Sequence, residues 1–153
     1  MSNFNGIGLA EMWPLMEEQI NSGKAVKFTP GGTSMLPLIH PEVDSVLIKK
    51  APAKLKKYDL PLYRRKDGDF VLHRVIKVNN DSYVMRGDNQ NWHEPGVKHE
   101  QILALAIGMY KNDEYISFSG VKYWIYTRKR NVRQHLSRIK SKLKKTLKKV
   151  KKL

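Results

Sequence analysis

Residues Thr29–His40 read TPGGTSMLPLIH. Two glycines precede Ser34, and Met35, Leu36, Pro37, Leu38 and Ile39 follow it. This stretch is too stiff and too apolar for an ordinary linker. Gly31 and Gly32 admit backbone angles and close approaches that other residues resist. Pro37 fixes one φ and restricts Leu36 to extended conformations. Ser34 is therefore expected on a backbone-held loop beside a flat apolar surface. A nucleophilic serine acting on a peptide needs such a setting, but a β-turn with a capping serine would look the same locally.

On either side of this loop the chain reads as short strands. Ala25–Thr29 leads into it, and the β-branched, alternating Val43–Lys49 follows. Ala51–Tyr58 is a basic connection. Leu60–Arg65 and Phe70–Val78 are joined through Lys66-Asp67-Gly68-Asp69, a strong hairpin signal. Asn79-Asn80-Asp81 turns into Ser82–Arg86, and Gly87–His99 reads as an irregular polar loop. Gln101–Tyr110 is a long apolar strand that turns through Lys111-Asn112-Asp113 into Glu114–Ser117. Tight turns with almost no helix between them predict a mainly β fold: a small, coiled, largely antiparallel domain over residues 25–120. Before it, residues 1–24 comprise a loose Met1–Gly8 and a short helix. Leu9, Met12, Trp13, Met16 and Ile20 stand near helical spacing, with Pro14 in the first turn of a helix starting near Trp13. The Trp and Met side chains of that helix suit core packing, or contact with a lipid surface.

The 153 residues fit one domain, and an apolar fraction of 41% supplies one modest core. The net charge of +15 is unevenly placed. All 14 acidic residues lie at or before Glu114, whereas Arg128 to the end holds 13 Lys/Arg and no acid. The first 127 residues, with 16 basic and 14 acidic side chains, are nearly neutral. The basic character therefore belongs to an appendage, residues 121–153. There Val121, Trp124, Ile125, Val132, Leu136, Ile139, Leu143, Leu147 and Val150 recur mainly three or four apart among Lys and Arg. A long amphipathic helix follows, and an anionic membrane surface is its expected partner. Heptad spacings also permit self-association or docking on a partner helix. With Tyr126 the one aromatic beyond Trp124, base stacking is poorly supported and a nucleic-acid partner is not expected. No apolar run reaches the 18 or so residues of a membrane span, and no secretory signal is evident. The expected location is cytoplasmic, peripheral at the inner face of the membrane.

With no cysteine, thiolate chemistry and cysteine-ligated metals are excluded. His40, His93, His99 and His135 show no metal-ligand spacing, so neither metal nor cofactor is expected. Ser34 needs a base, and Lys49, Lys50, Lys54 and His73 are the candidates nearest in sequence. A neutral imidazole accepts a proton at physiological pH, whereas a lysine must first be desolvated. His73 lies in Phe70–Ile76, sharing a strand face with Val71 and Val75; a satisfied, half-buried histidine would fit there equally. Asp88, in Gly87-Asp88-Asn89-Gln90, can orient His73 or close an Asx-turn. Glu94, six residues on, is a second candidate orienter, or a solvated loop glutamate.

Three blocks in order resemble the signal peptidase I and LexA-like serine protease superfamily. Gly32-Thr33-Ser34-Met35-Leu36-Pro37 is similar to its Ser-Met-x-Pro nucleophile box. Tyr58-Asp59-Leu60-Pro61-Leu62-Tyr63 resembles the strand that usually opens Gly-Asp, although the glycine is missing. Leu72-His73-Arg74-Val75-Ile76 followed by Gly87-Asp88-Asn89 resembles the base strand and the Gly-Asp-Asn box. The likeness covers about residues 28–108. Bacterial signal peptidases carry lysine before Arg-Val-Ile; His73 resembles instead the endoplasmic-reticulum and archaeal type, with its serine, histidine and an aspartate shortly after Gly-Asp-Asn. At that distance this chain has Glu94.

The resemblance implies a serine endopeptidase that processes a peptide or protein precursor bound extended beside its strands. Ser34 would be the nucleophile, His73 the base, Glu94 the third member with Asp88 in support, or Asp88 itself the orienter. Family members are generally anchored by a membrane span, which this sequence lacks. The rival expectation is a catalytically silent LexA-like binding or regulatory domain with a basic tail that binds membrane or partner.

Overall fold

The computed structural model describes residues 3–4 and 7–150. They form two compact units, residues 1–119 and 120–153. The first contains a minimal ladder of β1 (Asn3–Phe4) and β2 (Ile7–Gly8), the helix α1 (Leu9–Asn21) and two antiparallel sheets. The second is the helix α2 (Val121–Val150).

The larger sheet is built on the apolar run expected at Gln101–Tyr110, which forms β10 (Ile102–Lys111). It pairs with β4 (Ser45–Lys49), β5 (Pro61–Arg64) and β11 (Glu114–Ser117). Outside these lie β3 (Val26–Phe28), against β4, and β6 (Phe70–Leu72), against β5. The order β3-β4-β10-β5-β6 leaves β3 and β6 as its two outer strands. Alternation does the sorting: Val46 and Ile48 of β4 and Ala104 and Ala106 of β10 are buried on one face. Pro61 opens β5, a position where its missing N–H is tolerated. The smaller sheet is β7 (Arg74–Val78), β8 (Tyr83–Arg86) and β9 (Glu94–Val97). Tyr63 of the larger sheet packs with Leu55 and with Val75, Tyr83, Met85 and Val97 of the smaller one. That cluster joins the sheets.

Four expectations need correction. The first is Phe70–Val78, which is two strands and not one. The chain leaves the larger sheet at Leu72 and enters the smaller at Arg74, so His73 sits at the crossing with no ladder partner on either side. Arg74 and Val75 are both buried there, and simple alternation ends. The second is Gly87–His99, which is not wholly irregular. Glu94–Val97 pairs with β8 through Tyr83↔Val97 and Met85↔Glu94, and a 3-10 turn follows at His99–Gln101. Pro95 and Gly96 hide this strand in the sequence, but an outer strand tolerates both. The third is the helix near Trp13, which begins at Leu9 with Pro14 in its interior. Proline there costs about 3 kcal/mol, which the buried stripe Leu9, Trp13, Met16 and Ile20 offsets. Trp13 lies 5.8 Å from Phe70, so Trp13 and Met16 pack in the core and do not face lipid. The fourth is Met1–Gly8, where the backbone of the described residues is paired as β1 and β2.

Among the described residues, no helix is long and apolar enough to cross a membrane.

The larger sheet depends on the fully buried Ile48, which faces Val26 and Ala106. Ile48→Ala should lower the unfolding free energy by about 2–5 kcal/mol. Val43→Ala, at a position 71% exposed, should change it by less than about 0.5 kcal/mol. Urea titrations of both variants check the difference.

Candidate active site

Ser34 follows β3 on a turn in which the Leu36 N–H donates to the Thr33 carbonyl at 3.3 Å and the Ile39 N–H to the Met35 carbonyl at 3.1 Å. Gly32 stands at φ +77°, a conformation other residues reach only with strain. Met35 and Ile39 are buried beneath the turn. The Gly-Asp-Asn stretch holds it from the other side. The Asn89 N–H donates to the Ser34 carbonyl at 2.8 Å, and Asn89 Nδ2 to the Thr33 carbonyl at 3.2 Å. Gly87 lies so close that a Cβ on it would stand 2.7 Å from the Ser34 carbonyl oxygen. Glycine is required here for a close approach and not for a turn.

Tyr58 stands at φ +80°, one residue before Asp59. Tyr58 thus holds a left-handed backbone conformation that glycine adopts without strain. The Tyr58 N–H donates to the Val75 carbonyl at 2.7 Å, and the Val75 N–H to the Asp59 carbonyl at 2.9 Å. These bonds pin the chain two residues after His73.

Ser34 and His73 line the same cleft, about 800 Å³ in volume. Phe28 and Pro30 border it from the β3 side; Phe70, Val71 and Leu72 border it from β6. Among the described residues no hydrogen bond joins the Ser34 hydroxyl to the His73 ring, and the Ser34 N–H donates to no other group. Trp92, 48% exposed, stands edge-on to His73 with ring centres 6.1 Å apart. The Arg65 guanidinium lies 5.8 Å from the centre of the same indole.

The two acids stand in different places. Asp88 is buried and gripped by Arg74, whose Nε and Nη2 donate to its two oxygens at 2.8 and 2.7 Å. Arg74 Nη1 also donates to the Tyr58 carbonyl at 3.1 Å. Glu94 lies beside the histidine, with Oε2 3.9 Å from His73 Nδ1. Tyr63 connects the two. Its hydroxyl donates to Glu94 Oε2 at 2.7 Å and lies 3.3 Å from His73 Nδ1. Arg65 clamps the same carboxylate with Nε and Nη2, each at 2.7 Å. The sequence reading missed Tyr63 and Arg65. Their signal was the β5 pattern, which puts Tyr63 against Val71 in register and the following Arg65 at the strand's end.

This network assigns protons. A carboxylate is a stronger acceptor than an imidazole, so the single phenolic hydrogen goes to Glu94. The Tyr63 oxygen then accepts from Nδ1–H of His73, which leaves Nε2 as the unprotonated nitrogen. Burial, opposed by the Glu94 charge, lowers the His73 pKa to about 4 and keeps the ring neutral at physiological pH. Burial would raise the pKa of Glu94, but hydrogen bonds from Arg65 and Tyr63 outweigh it and hold the carboxyl below its ordinary range. Burial and the bond to Glu94 push the Tyr63 phenol far up, so it stays protonated. Among the described residues, no group of three His, Cys, Asp or Glu could hold a metal ion.

No protein-family model, curated protein or solved structure matches the chain.

Two outcomes follow from this geometry. Gly87→Ala should destabilise the protein by about 1–3 kcal/mol, because the new methyl meets the Ser34 carbonyl oxygen, which is backbone, as well as the Gln90 side chain; urea denaturation measures it. In addition, the folded state keeps His73 neutral down to about pH 4, while the unfolded chain protonates it near 6.5. The unfolded state therefore binds more protons between these values. Stability from this group is complete above about pH 6.5 and falls as pH drops toward 4. His73→Gln should flatten that limb in urea midpoints measured from pH 7 to 4.5.

Proposed function

We propose that the chain is a serine endopeptidase of the signal peptidase and LexA-like kind, cleaving a peptide or protein precursor by acyl transfer. One observation carries the reading: Ser34 and His73 open onto one cleft, and Glu94, held by Arg65 and Tyr63, stands at Nδ1 of His73. Ser34 is the nucleophile. His73 Nε2 takes its proton as Oγ attacks the scissile carbonyl. Glu94 stabilises the imidazolium that forms and keeps the ring oriented through Tyr63. The Ser34 N–H, with no acceptor among the described residues, donates to the developing oxyanion. His73 then passes its proton to the leaving amine, and water hydrolyses the acyl-enzyme. Asp88, saturated by Arg74, is a positioning residue that holds the β7–β8 hairpin under the Ser34 loop.

The substrate is read as an extended peptide. The outer strands β3 and β6 both border the cleft and run on into Ser34 and His73. Strand edges offer unpaired backbone groups to a peptide laid between them. Met35 forms an apolar floor, and Trp92 stands at the rim.

The test is cleavage of a mixed peptide pool followed by mass spectrometry. Ser34→Ala and His73→Ala should each lower cleavage by about 10³-fold or more, with wild-type urea midpoints near neutral pH for Ser34→Ala. Glu94→Gln should cost about 10²-fold or more, because the ring loses its charge partner. The wild-type rate should hold as pH falls from 7 to about 5 and drop as it nears the His73 value of about 4. Unchanged cleavage by Ser34→Ala would overturn the reading and leave the binding-domain alternative.

A further inference from the structure

The second compact unit carries a surface that the proposed cleavage chemistry does not use. At about 100° per residue, Val121, Ile125, Val132, Leu136, Ile139 and Leu143 fall within an arc of about 60° along α2. The stripe is exposed: 57% at Val132, 53% at Leu136 and 59% at Leu143. Arg128, Arg133 and Lys140 flank it, and Lys129 sits at its margin. Trp124, also exposed, stands beside it with the Arg128 guanidinium 3.7 Å from its ring centre.

We infer that α2 lies in the plane of an anionic lipid bilayer, its apolar stripe at the acyl boundary and its cations among the headgroups. Length and chemistry both point there. A helix of 30 residues is about 45 Å long, yet it is not apolar enough to cross a membrane. Narrow apolar stripe, cationic flanks, low overall hydropathy and an indole at the margin together define an in-plane interfacial helix. A second copy of the chain fits worse. From Arg128 onward there are 13 Lys/Arg and no acid, so two such helices would set like charges against each other along the seam. A nucleic acid would use the cations but leave the stripe in water. An anionic membrane satisfies both at once, and this inference does not rest on the chemistry of Ser34.

The experiment uses the full chain and two kinds of vesicle, phosphatidylcholine alone and phosphatidylcholine with about one third phosphatidylglycerol. The wild type and Ser34→Ala should sediment with the anionic vesicles and stay in solution with the neutral ones. The double variant Leu136→Ala/Leu143→Ala keeps the charge and the helix propensity but removes apolar volume. It should bind the anionic vesicles at least about tenfold more weakly, with unchanged helical circular dichroism. Equal binding of the double variant would overturn the inference in favour of charge alone. So would no vesicle binding by the wild type, whether the chain instead retains duplex DNA or forms a dimer that the double variant dissociates. Lipid binding and peptide cleavage are read separately, so failure of one leaves the other standing.

Discussion

The Ser34 carbonyl is the point on which the candidate site depends. It accepts the Asn89 N–H at 2.8 Å, and it lies where a side chain on residue 87 would have to be. Two loops more than fifty residues apart are thereby held in backbone contact. Neither loop is regular structure, so neither has a ladder of its own to fix it. Each is braced from behind: the serine turn by buried Met35 and Ile39, the Gly87–Asn89 stretch by the Arg74–Asp88 pair. A buried bidentate ion pair is a weak source of net stability, but breaking one partner is costly. Its effect here is to hold the hairpin in one place under the serine.

The histidine is positioned by a change of sheet. Strand β6 ends at Leu72 and β7 begins at Arg74, and the paired bonds between Val75 and the Tyr58–Asp59 turn fix the new direction. This crossing takes His73 out of both ladders and into the space between cleft and core. Tyr63 fills the other side of that space. Its ring belongs to the cluster that joins the sheets, and its hydroxyl reaches Glu94 and His73. The packing that gives the domain its core therefore also sets the charge state of the site. The same burial keeps His73 neutral, while the bonds from Arg65 and Tyr63 outweigh it at Glu94 and hold that carboxyl ionised.

The two compact units divide the charge as well as the chain. The nearly neutral part folds around β10, where alternating apolar residues meet a partner strand on each side. The cationic part has one apolar stripe and no acid to pair with its own cations. A β-sheet core and a basic amphipathic helix thus coexist in a short chain, each with its own apolar residues.

Much was decided by local sequence. The alternation in residues 43–49, the continuous apolar run at 102–110, the Lys66–Asp69 turn and the three-four spacing after Val121 mark their elements because each is a pattern contained in one short window. Ser34 and His73 stood out for similar reasons: a glycine-proline loop stiffens the backbone, and an imidazole among β-branched residues is chemically conspicuous. Tertiary structure decided what no short window contains. Glu94 lies in a stretch whose Pro95 and Gly96 read as loop, and only pairing with β8 brings it to His73. Asp88 looked equally suited until Arg74, fourteen residues earlier, took both its oxygens. Tyr63 and Arg65 read as ordinary strand residues because their roles depend on a carboxylate about thirty residues away. Pattern governs which elements form, since that is a contest of local periods. Which side chains meet is a matter of packing between elements, and the partners of one carboxylate emerge only when the sheets close on each other.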